Sequence, residues 1–329
     1  MRIGFVGTYP VALAGVLAFM ACTRIASADA PAAASPGATA TPPPPPVEAP
    51  KKPPAPPYSL PWALRPAMAS TVVRLDGAFS FENSGFTYAS TLLASYSFVK
   101  DVAVLARIGL VHDAPNLTYN ATAITNPLVG ATYTPQLAPG LRLPLFLAVS
   151  LPVGMGGGNP DTGTTWPAGS AYAAEQAGVY ARSAMDNALF AVNYLGLIGG
   201  VGLAYMTHGW TFQAEATLLQ YLRTRGEVVD KDEARTNFTT GLHVGYTIIK
   251  ALTVSAELRG QVWLSSMQAV TKDPTKREQF TFGLGVRTRV DFVRDKIFMR
   301  PGIAYFHPID DPMNAGGYNI LFVDVPVSF

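Results

Sequence analysis

The sequence is poor in cysteine, in charged residues and in long apolar runs. Its one cysteine is Cys22, and only 14% of its 329 residues are charged. Beyond residue 30, no uninterrupted apolar stretch reaches the roughly 18 residues that a membrane-spanning helix needs. The longest candidate, residues 143–153, contains two prolines. These shortages exclude a helical membrane protein and a scaffold held by several disulfides.

Apolar residues are nevertheless abundant, at 49% of the chain, and the mean hydropathy is +0.21. A soluble β-sandwich or solenoid has such a composition, and so does a protein whose short strands face lipid on one side. The net charge of +2 is evenly mixed along the chain, so nothing indicates a nucleic-acid partner.

The first thirty residues have the pattern of a signal peptide. Arg2 precedes an apolar run over residues 11–21, and the segment ends in a small-residue cleavage pattern at residues 27–30. We therefore predict a signal peptide over 1–30, although Arg24 is atypical between the apolar run and the cut. Cleavage would remove Cys22, and the mature chain would then have no thiol chemistry and no cysteine metal site.

Residues 31–60 are predicted to be a Pro/Ala-rich, disordered periplasmic leader. Proline and alanine dominate this segment, and residues 42–46 are consecutive prolines. Such a composition cannot bury a core and favours an extended chain. The leader either reaches a partner such as the cell wall or serves only as a disordered segment that keeps the chain competent for export.

After residue 61 the pattern changes to strands. The predicted strands cover 70–82, 86–99, 102–112, 126–136, 141–153, 188–205, 210–225, 236–249, 252–265, 278–291, 296–307 and 318–329. Tight turns and a second set of mostly longer, polar connections, of which only 83–85 is short, alternate in strict succession between them. The tight turns lie near residues 100, 139, 208, 250 and 294, and the other connections are 83–85, 113–125, 154–187, 226–235, 266–277 and 308–317.

The strands alternate between apolar and polar side chains. In the terminal strand Leu321, Val323, Val325, Val327 and Phe329 share one face, opposite Phe322, Asp324, Pro326 and Ser328. The segments 236–249, 252–265 and 278–291 show the same period of two, with arginine and glutamate on the polar face. The sixth strand, 188–205, is rich in glycine and apolar on both sides, so its faces stay undetermined.

A terminal alternating strand ending in an aromatic residue, together with the alternation of short and long connections, resembles the outer-membrane β-barrel proteins of Gram-negative bacteria. The resemblance implies an all-β fold, a single transmembrane antiparallel up-and-down barrel of about 12 strands over 61–329. It also implies a location in the outer membrane, contact with outer-membrane lipid and lipopolysaccharide, and an assembly signal at Phe329 that the barrel-assembly machinery reads.

In such a barrel the polar faces line a lumen, because a charge at mid-depth on the lipid face costs roughly 2–4 kcal/mol. The residues predicted to face the lumen, mostly at similar height, are Arg74, Asp76, Arg107, Glu215, His243, Glu257, Arg259, Arg287, Arg289, Arg300 and Asp324. We expect Asp324 to approach Arg74, and Glu257 to approach Arg287 or Arg289. The set forms either a slightly cationic selectivity constriction or a structural ion-pair network.

Three functions follow from this sequence. The first is an outer-membrane channel for passive diffusion of small hydrophilic solutes. The second is a non-conducting structural or adhesive barrel with ligand-binding loops, and the third is an outer-membrane hydrolase using His112 or His307, the latter near Asp310 and Asp311. No metal or cofactor motif is present, so we expect neither a cofactor nor an enzyme. The long connection 154–187 either folds into the barrel or covers it from outside.

Overall fold

The computed structural model describes residues 57–163, 165–293 and 296–329. The predicted signal peptide and residues 31–56 of the predicted leader lie outside these ranges. The described chain folds into a closed antiparallel barrel of twelve strands, which confirms the predicted fold class. Closure is achieved because the first strand pairs with the second on one edge and with the last on the other.

The strands are β1 (Val72–Glu82), β2 (Gly85–Val99), β3 (Val102–Pro115), β4 (Ala121–Ile124, Leu128–Tyr133 and Gln136–Ala138), β5 (Leu141–Arg142 and Leu145–Ser150), β6 (Tyr194–Thr207), β7 (Trp210–Arg223), β8 (Ala234–Ile249), β9 (Leu252–Trp263), β10 (Glu278–Thr288 and Val290–Val293), β11 (Ile297–Met299 and Gly302–Pro308) and β12 (Asn319–Ser328). Three of them are interrupted at prolines: β4 at Pro127 and Pro135, β5 at Pro144 and β11 at Pro301. Proline has no backbone N–H to give to a strand ladder, which accounts for these breaks.

The outer surface is apolar and the inner surface is polar. Leu75 is 54% exposed while its neighbour Asp76 is 3% exposed, and Leu242 is 53% exposed beside His243 at 1%. The terminal strand follows the predicted alternation, with Asp324 fully buried between Val323 and Val325. A closed sheet with this inversion leaves no unpaired edge and presents apolar side chains to the surroundings, as a bilayer requires.

The sixth strand, whose faces the sequence left undetermined, now has a clear orientation. Val201, Leu203 and Tyr205 are 46%, 49% and 45% exposed, whereas Ala204 and Met206 are buried. The strand also begins at Tyr194, six residues later than predicted, because residues 187–190 form a short helix.

The predicted tight turns connect strands at one end of the barrel. Gly140, in the turn between β4 and β5, has a φ of +75°, and an added Cβ would lie 2.3 Å from the Met206 carbonyl oxygen. Only glycine fits both conditions at that turn. The turn at residues 294–295 lies outside the described ranges.

The longer connections at the other end contain the helices, which are α1 (Ala171–Ala181), α2 (Asn187–Phe190), α3 (Gln268–Lys272) and a 3₁₀ turn (Pro274–Arg277). Ser170 caps α1, since its Oγ accepts a hydrogen bond from the Ala173 N–H at 3.3 Å. Among the described residues, no helix has both the length and the apolar character needed to cross a bilayer.

The connection 154–187 folds into the barrel, which settles the alternative left open by the sequence. Ala174 and Ala181 of α1 pack in one buried apolar cluster with inward-facing residues such as Val111 and Ile198. The main apolar core of the described chain therefore lies inside the outer half of the lumen.

Candidate functional site

Residues 57–69, which we name the inner segment, occupy the half of the lumen beside the tight turns. We call it the periplasmic half, because outer-membrane barrels have their short turns on the periplasmic side. The inner segment has no regular secondary structure, yet Trp62 and Leu64 are each 1% exposed. Its Tyr58 hydroxyl donates to the Gln213 side chain, 3.2 Å away on β7. Residues 57–60, the end of the predicted disordered leader, thus pack within the barrel.

Two lumen carboxylates bind the backbone of the inner segment. The Glu257 carboxylate accepts hydrogen bonds from the N–H groups of Trp62 at 2.8 Å and Ala63 at 2.9 Å. The Glu215 carboxylate accepts one from the Arg65 N–H at 2.8 Å and also forms an ion pair with the Arg65 guanidinium. Both carboxylates are thereby satisfied by charge-assisted hydrogen bonds, which are stronger than neutral ones.

Two lumen arginines bind backbone carbonyls of the same segment. Arg74 donates to the Trp62 carbonyl at 2.5 Å, and Arg287 donates to the carbonyls of Leu60 at 3.1 Å and Pro61 at 3.2 Å. The Arg287 guanidinium also lies 3.7 Å from the centroid of the Trp62 ring, a cation–π contact. The extended backbone is therefore held from both sides.

Asp324 joins these two arginines. Its Oδ2 lies 2.8 Å from Arg74 Nη2 and 2.5 Å from Arg287 Nη2, so the predicted approach of Asp324 to Arg74 is confirmed. Glu257 instead forms an ion pair with Arg259 at 2.9 Å, and its carboxylate lies 3.4 Å from His243 Nδ1.

The strand register explains why Glu257 does not meet Arg287 as predicted. Glu257 lies opposite Gly283, and Arg287 lies opposite Thr253, which precedes Glu257 by four residues in β9. Four residues of strand correspond to about 13 Å, beyond the reach of a direct ion pair. The glycine opposite Glu257 leaves room for the Phe306 ring, over which the Arg259 guanidinium lies at 3.5 Å.

The outer half of the lumen contains a second cluster, formed between strand residues and the inserted connection. Asp186 accepts from Arg107 at 2.6 Å and from Arg182 at 2.6 Å, and Arg182 also pairs with Asp76 at 2.5 Å. Burial raises the pKa of Asp186, but the two guanidinium groups outweigh it and hold that pKa well below its usual range. Asp76 and Arg107 were predicted lumen residues, whereas no role was predicted for Arg182 or Asp186.

Glu175 of α1 has a different environment. It is fully buried, and neither of its carboxyl oxygens has a hydrogen-bond partner within the described part of the chain. Burial raises its pKa to about 8. The side chain is therefore mostly neutral at pH 7, as an unpaired buried carboxyl must be.

The remaining predicted lumen residues lie nearer the periplasmic end. Arg300 donates to the Tyr58 carbonyl at 3.4 Å. Arg289 bonds Asp291 at 2.6 Å and lies over the Phe298 ring. Arg289 lies beside the interruption of β10 and therefore nearer the periplasmic end than the middle third of the barrel, where it was predicted.

The space left in the lumen is divided into small cavities. A cavity of about 470 Å³ opens at the periplasmic end, one of about 70 Å³ lies beside Arg65 and Asp186, and one of about 180 Å³ lies beside α1. The inner segment and the inserted connection fill much of the remainder.

The residues considered for hydrolysis do not form a catalytic arrangement in the described structure. His307 is exposed and stacks against Tyr305. The Asp310 carboxylate accepts from the Phe280 N–H at 2.7 Å and from the Gln279 side chain, a role in loop structure. His112 bonds Thr122, and the described residues contain no cluster of three or more potential metal ligands.

No protein family matches the sequence, and no curated protein matches it. Among solved structures, the chain is similar to the KdgM porin, with 10% identity, 78% of this chain and 99% of the other covered, and a TM-score of 0.44. It is similar to the NanC porin, with 10% identity, coverage of 78% and 98%, and a TM-score of 0.47. It is also similar to the COG4313 outer membrane channel of Pseudomonas putida F1, with 10% identity, coverage of 82% and 98%, and a TM-score of 0.49.

At these values the similarities carry no conclusion about activity. The strand pairing and the two faces define the class directly. The chain is an outer-membrane β-barrel protein, with its apolar face in contact with membrane lipid.

Proposed function

We propose that the protein is an outer-membrane channel for small hydrophilic solutes, and that the inner segment closes it in this structure. The observation that carries the proposal is the way residues 57–69 are held. Glu257, Glu215, Arg74 and Arg287 bind mainly backbone groups of this segment, and water can replace every one of those hydrogen bonds. Release of the segment would expose a hydrated, charged passage through the periplasmic half of the barrel.

The charged walls would give this passage a mild preference for anions. The predicted lumen set contains six arginines and four carboxylates. We propose that Arg74, Arg107, Glu257, Arg259, Arg287 and Arg289 set the selectivity. Because the carboxylates are interleaved with the arginines, we expect a weak preference and no exclusion of cations.

Planar-bilayer recording of the refolded mature chain tests the proposal. We expect rare stepwise openings in the intact protein and frequent, larger steps after deletion of residues 57–69. A variant with both Arg259→Ser and Arg287→Ser should shift the reversal potential in a salt gradient towards cations. A matched variant, Arg277→Ser in an outer connection, should leave the reversal potential unchanged.

A non-conducting structural barrel is the second candidate, and the tight burial of Trp62 and Leu64 inside the barrel favours it. For a structural barrel we expect no current steps across the bilayer from either the intact chain or the deletion variant, although both insert as folded barrels. That result would overturn the channel proposal.

We further propose that the barrel-assembly machinery reads Phe329, that lipopolysaccharide surrounds the outer rim, and that the leader contacts the cell wall. Phe329 supports the first of these, because its side chain is 61% exposed although its N–H bonds the Thr71 carbonyl at 3.1 Å. Deletion of Phe329 should reduce the amount of assembled barrel in cells without changing the conductance of the refolded protein.

A further inference from the structure

The periplasmic mouth of the barrel contains two adjoining cavities that share three lining residues, Tyr58, Leu60 and Arg300. The larger has a volume of about 470 Å³ and the smaller about 90 Å³. The larger volume falls in the range of pockets that hold small organic ligands, about 300–1,000 Å³.

The charged side chains that line these cavities are cationic. The larger cavity is lined by Arg74 and Arg300, and the smaller by Lys250, Arg287, Arg289 and Arg300. Among the described residues no acidic side chain lines either cavity, although Phe329, the last residue of the chain, belongs to the lining of the larger one. The nearby acids serve other partners, since Asp324 pairs with Arg74 and Arg287, and Asp291 with Arg289.

Arg300 is the arginine shared by both cavities. Its one side-chain hydrogen bond within the described structure goes to the Tyr58 carbonyl at 3.4 Å, and no described carboxylate lies within ion-pair distance. Its guanidinium also lies 4.9 Å from the centroid of the Phe298 ring. Because a guanidinium carries five N–H donors, most of the donors of Arg300 remain available to an anion.

The rest of the larger cavity is mainly apolar. Leu60, Met68, Leu93, Phe298 and Pro326 contribute to its walls. An inorganic anion would leave this apolar surface in contact with water, whereas a ligand with an apolar body would cover it. Shape and charge together therefore select for an amphipathic anion.

We propose that this mouth is a binding site for a small amphipathic organic anion. Its carboxylate pairs with Arg300, and its apolar body fills the larger cavity. The site does not depend on whether the barrel conducts.

Calorimetry on the refolded mature chain in lipid nanodiscs tests the site, with 4-butylbenzoate as the probe and 4-butylbenzamide as its neutral counterpart. We expect saturable binding of the benzoate and much weaker binding of the amide. Arg300→Gln should weaken benzoate binding by about tenfold, because a charge-assisted contact is lost. Arg277→Gln, at an exposed position in an outer connection, should leave the affinity unchanged.

A second pair of variants keeps the test decisive if loss of Arg300 disturbs folding. Ser328 lines the larger cavity and pairs with Phe298 across the strands. Ser328→Asp should abolish benzoate binding by adding a carboxylate, while Ser328→Asn should preserve it. Equal binding of benzoate and benzamide, or equal affinity of the Ser328→Asp and Ser328→Asn proteins, would overturn the proposal.

Discussion

The two halves of the lumen are filled in different ways. In the outer half, α1 packs through apolar side chains, and Arg182 and Asp186 beside it make buried ion pairs with strand residues. In the periplasmic half, the inner segment is held largely through its backbone, by Glu257 and Arg287 among others. The first filling is held by apolar packing and buried side-chain ion pairs, whereas the second combines the burial of Trp62 and Leu64 with backbone hydrogen bonds to the barrel wall.

This difference indicates which filling is able to move. Breaking a buried ion pair leaves an uncompensated charge, a loss of about 3–5 kcal/mol. A backbone hydrogen bond exchanged for one to water costs only about 0.5–1.5 kcal/mol, or 1.5–3 when the partner is charged. We therefore expect the inner segment to be released more readily than the outer insert, so that conduction depends on the space left beside α1 once the segment has gone.

The largest predicted effect is at Arg182. Replacement by methionine keeps the apolar length but leaves Asp76 and Asp186 short of a cation, so docking of the insert should weaken by about 3–5 kcal/mol. Hydrogen exchange of residues 171–190 should then become much faster, while exchange of residues 57–69 stays unchanged. Equal acceleration in both segments would show that the two fillings are one cooperative unit.

A smaller effect is expected at Glu257. Glu257→Gln keeps one oxygen acceptor but removes the charge that binds the Trp62 and Ala63 N–H groups, a loss of about 1.5–3 kcal/mol. Amide exchange should accelerate in residues 57–69 and not in α1. Glu278→Gln, at an exposed position on β10, is the matched control and should change neither segment.

For a change of one pH unit, the smallest of the three effects concerns Glu175. Its pKa is raised to about 8 from an ordinary value of 4.5, so the folded state retains a proton that the unfolded connection loses. Docking stability from this group is complete below pH 4.5 and declines between 4.5 and 8 by about 1.4 kcal/mol for each pH unit. Hydrogen exchange of α1 should follow this decline in the wild type. In Glu175→Gln the decline should disappear, and its persistence would assign the pH dependence to another group.

Much of the barrel could be predicted because side chains alternate between its two faces with a period of two residues along each strand. Lipid outside the barrel and water inside it require apolar and polar side chains to alternate, and β8, β9 and β12 show this alternation clearly. The tight turns identify one end of the barrel. The predicted pair of Arg74 and Asp324 followed from closure of the barrel and was confirmed. The faces of the sixth strand could not be predicted because glycines and the apolar Ile198, Ala204 and Met206 occupy its inward-facing positions.

The contents of the lumen were harder to predict for two reasons. Glu257 and Glu215 bind backbone N–H groups of the inner segment. Because almost every residue has such a group, this binding requires no sequence motif in the segment. One signal was present, however: Tyr58, Leu60, Trp62 and Leu64 recur at every second position within a proline-rich stretch. The pairing of Asp186 with Arg107 depends on how a long connection folds back, which local patterns do not determine.

A reversible disulfide between the inner segment and the barrel wall tests most directly whether residues 57–69 close the lumen. The Ser59 N–H bonds Thr211 Oγ1 on β7 at 2.9 Å. We therefore place cysteines at both positions in the mature chain, which is expected to contain no other thiol. We predict stepwise openings under reducing conditions, silence after the disulfide forms, and openings again on reduction, with Ser59→Cys alone insensitive to the redox state. The same openings in the oxidised double variant would contradict the account.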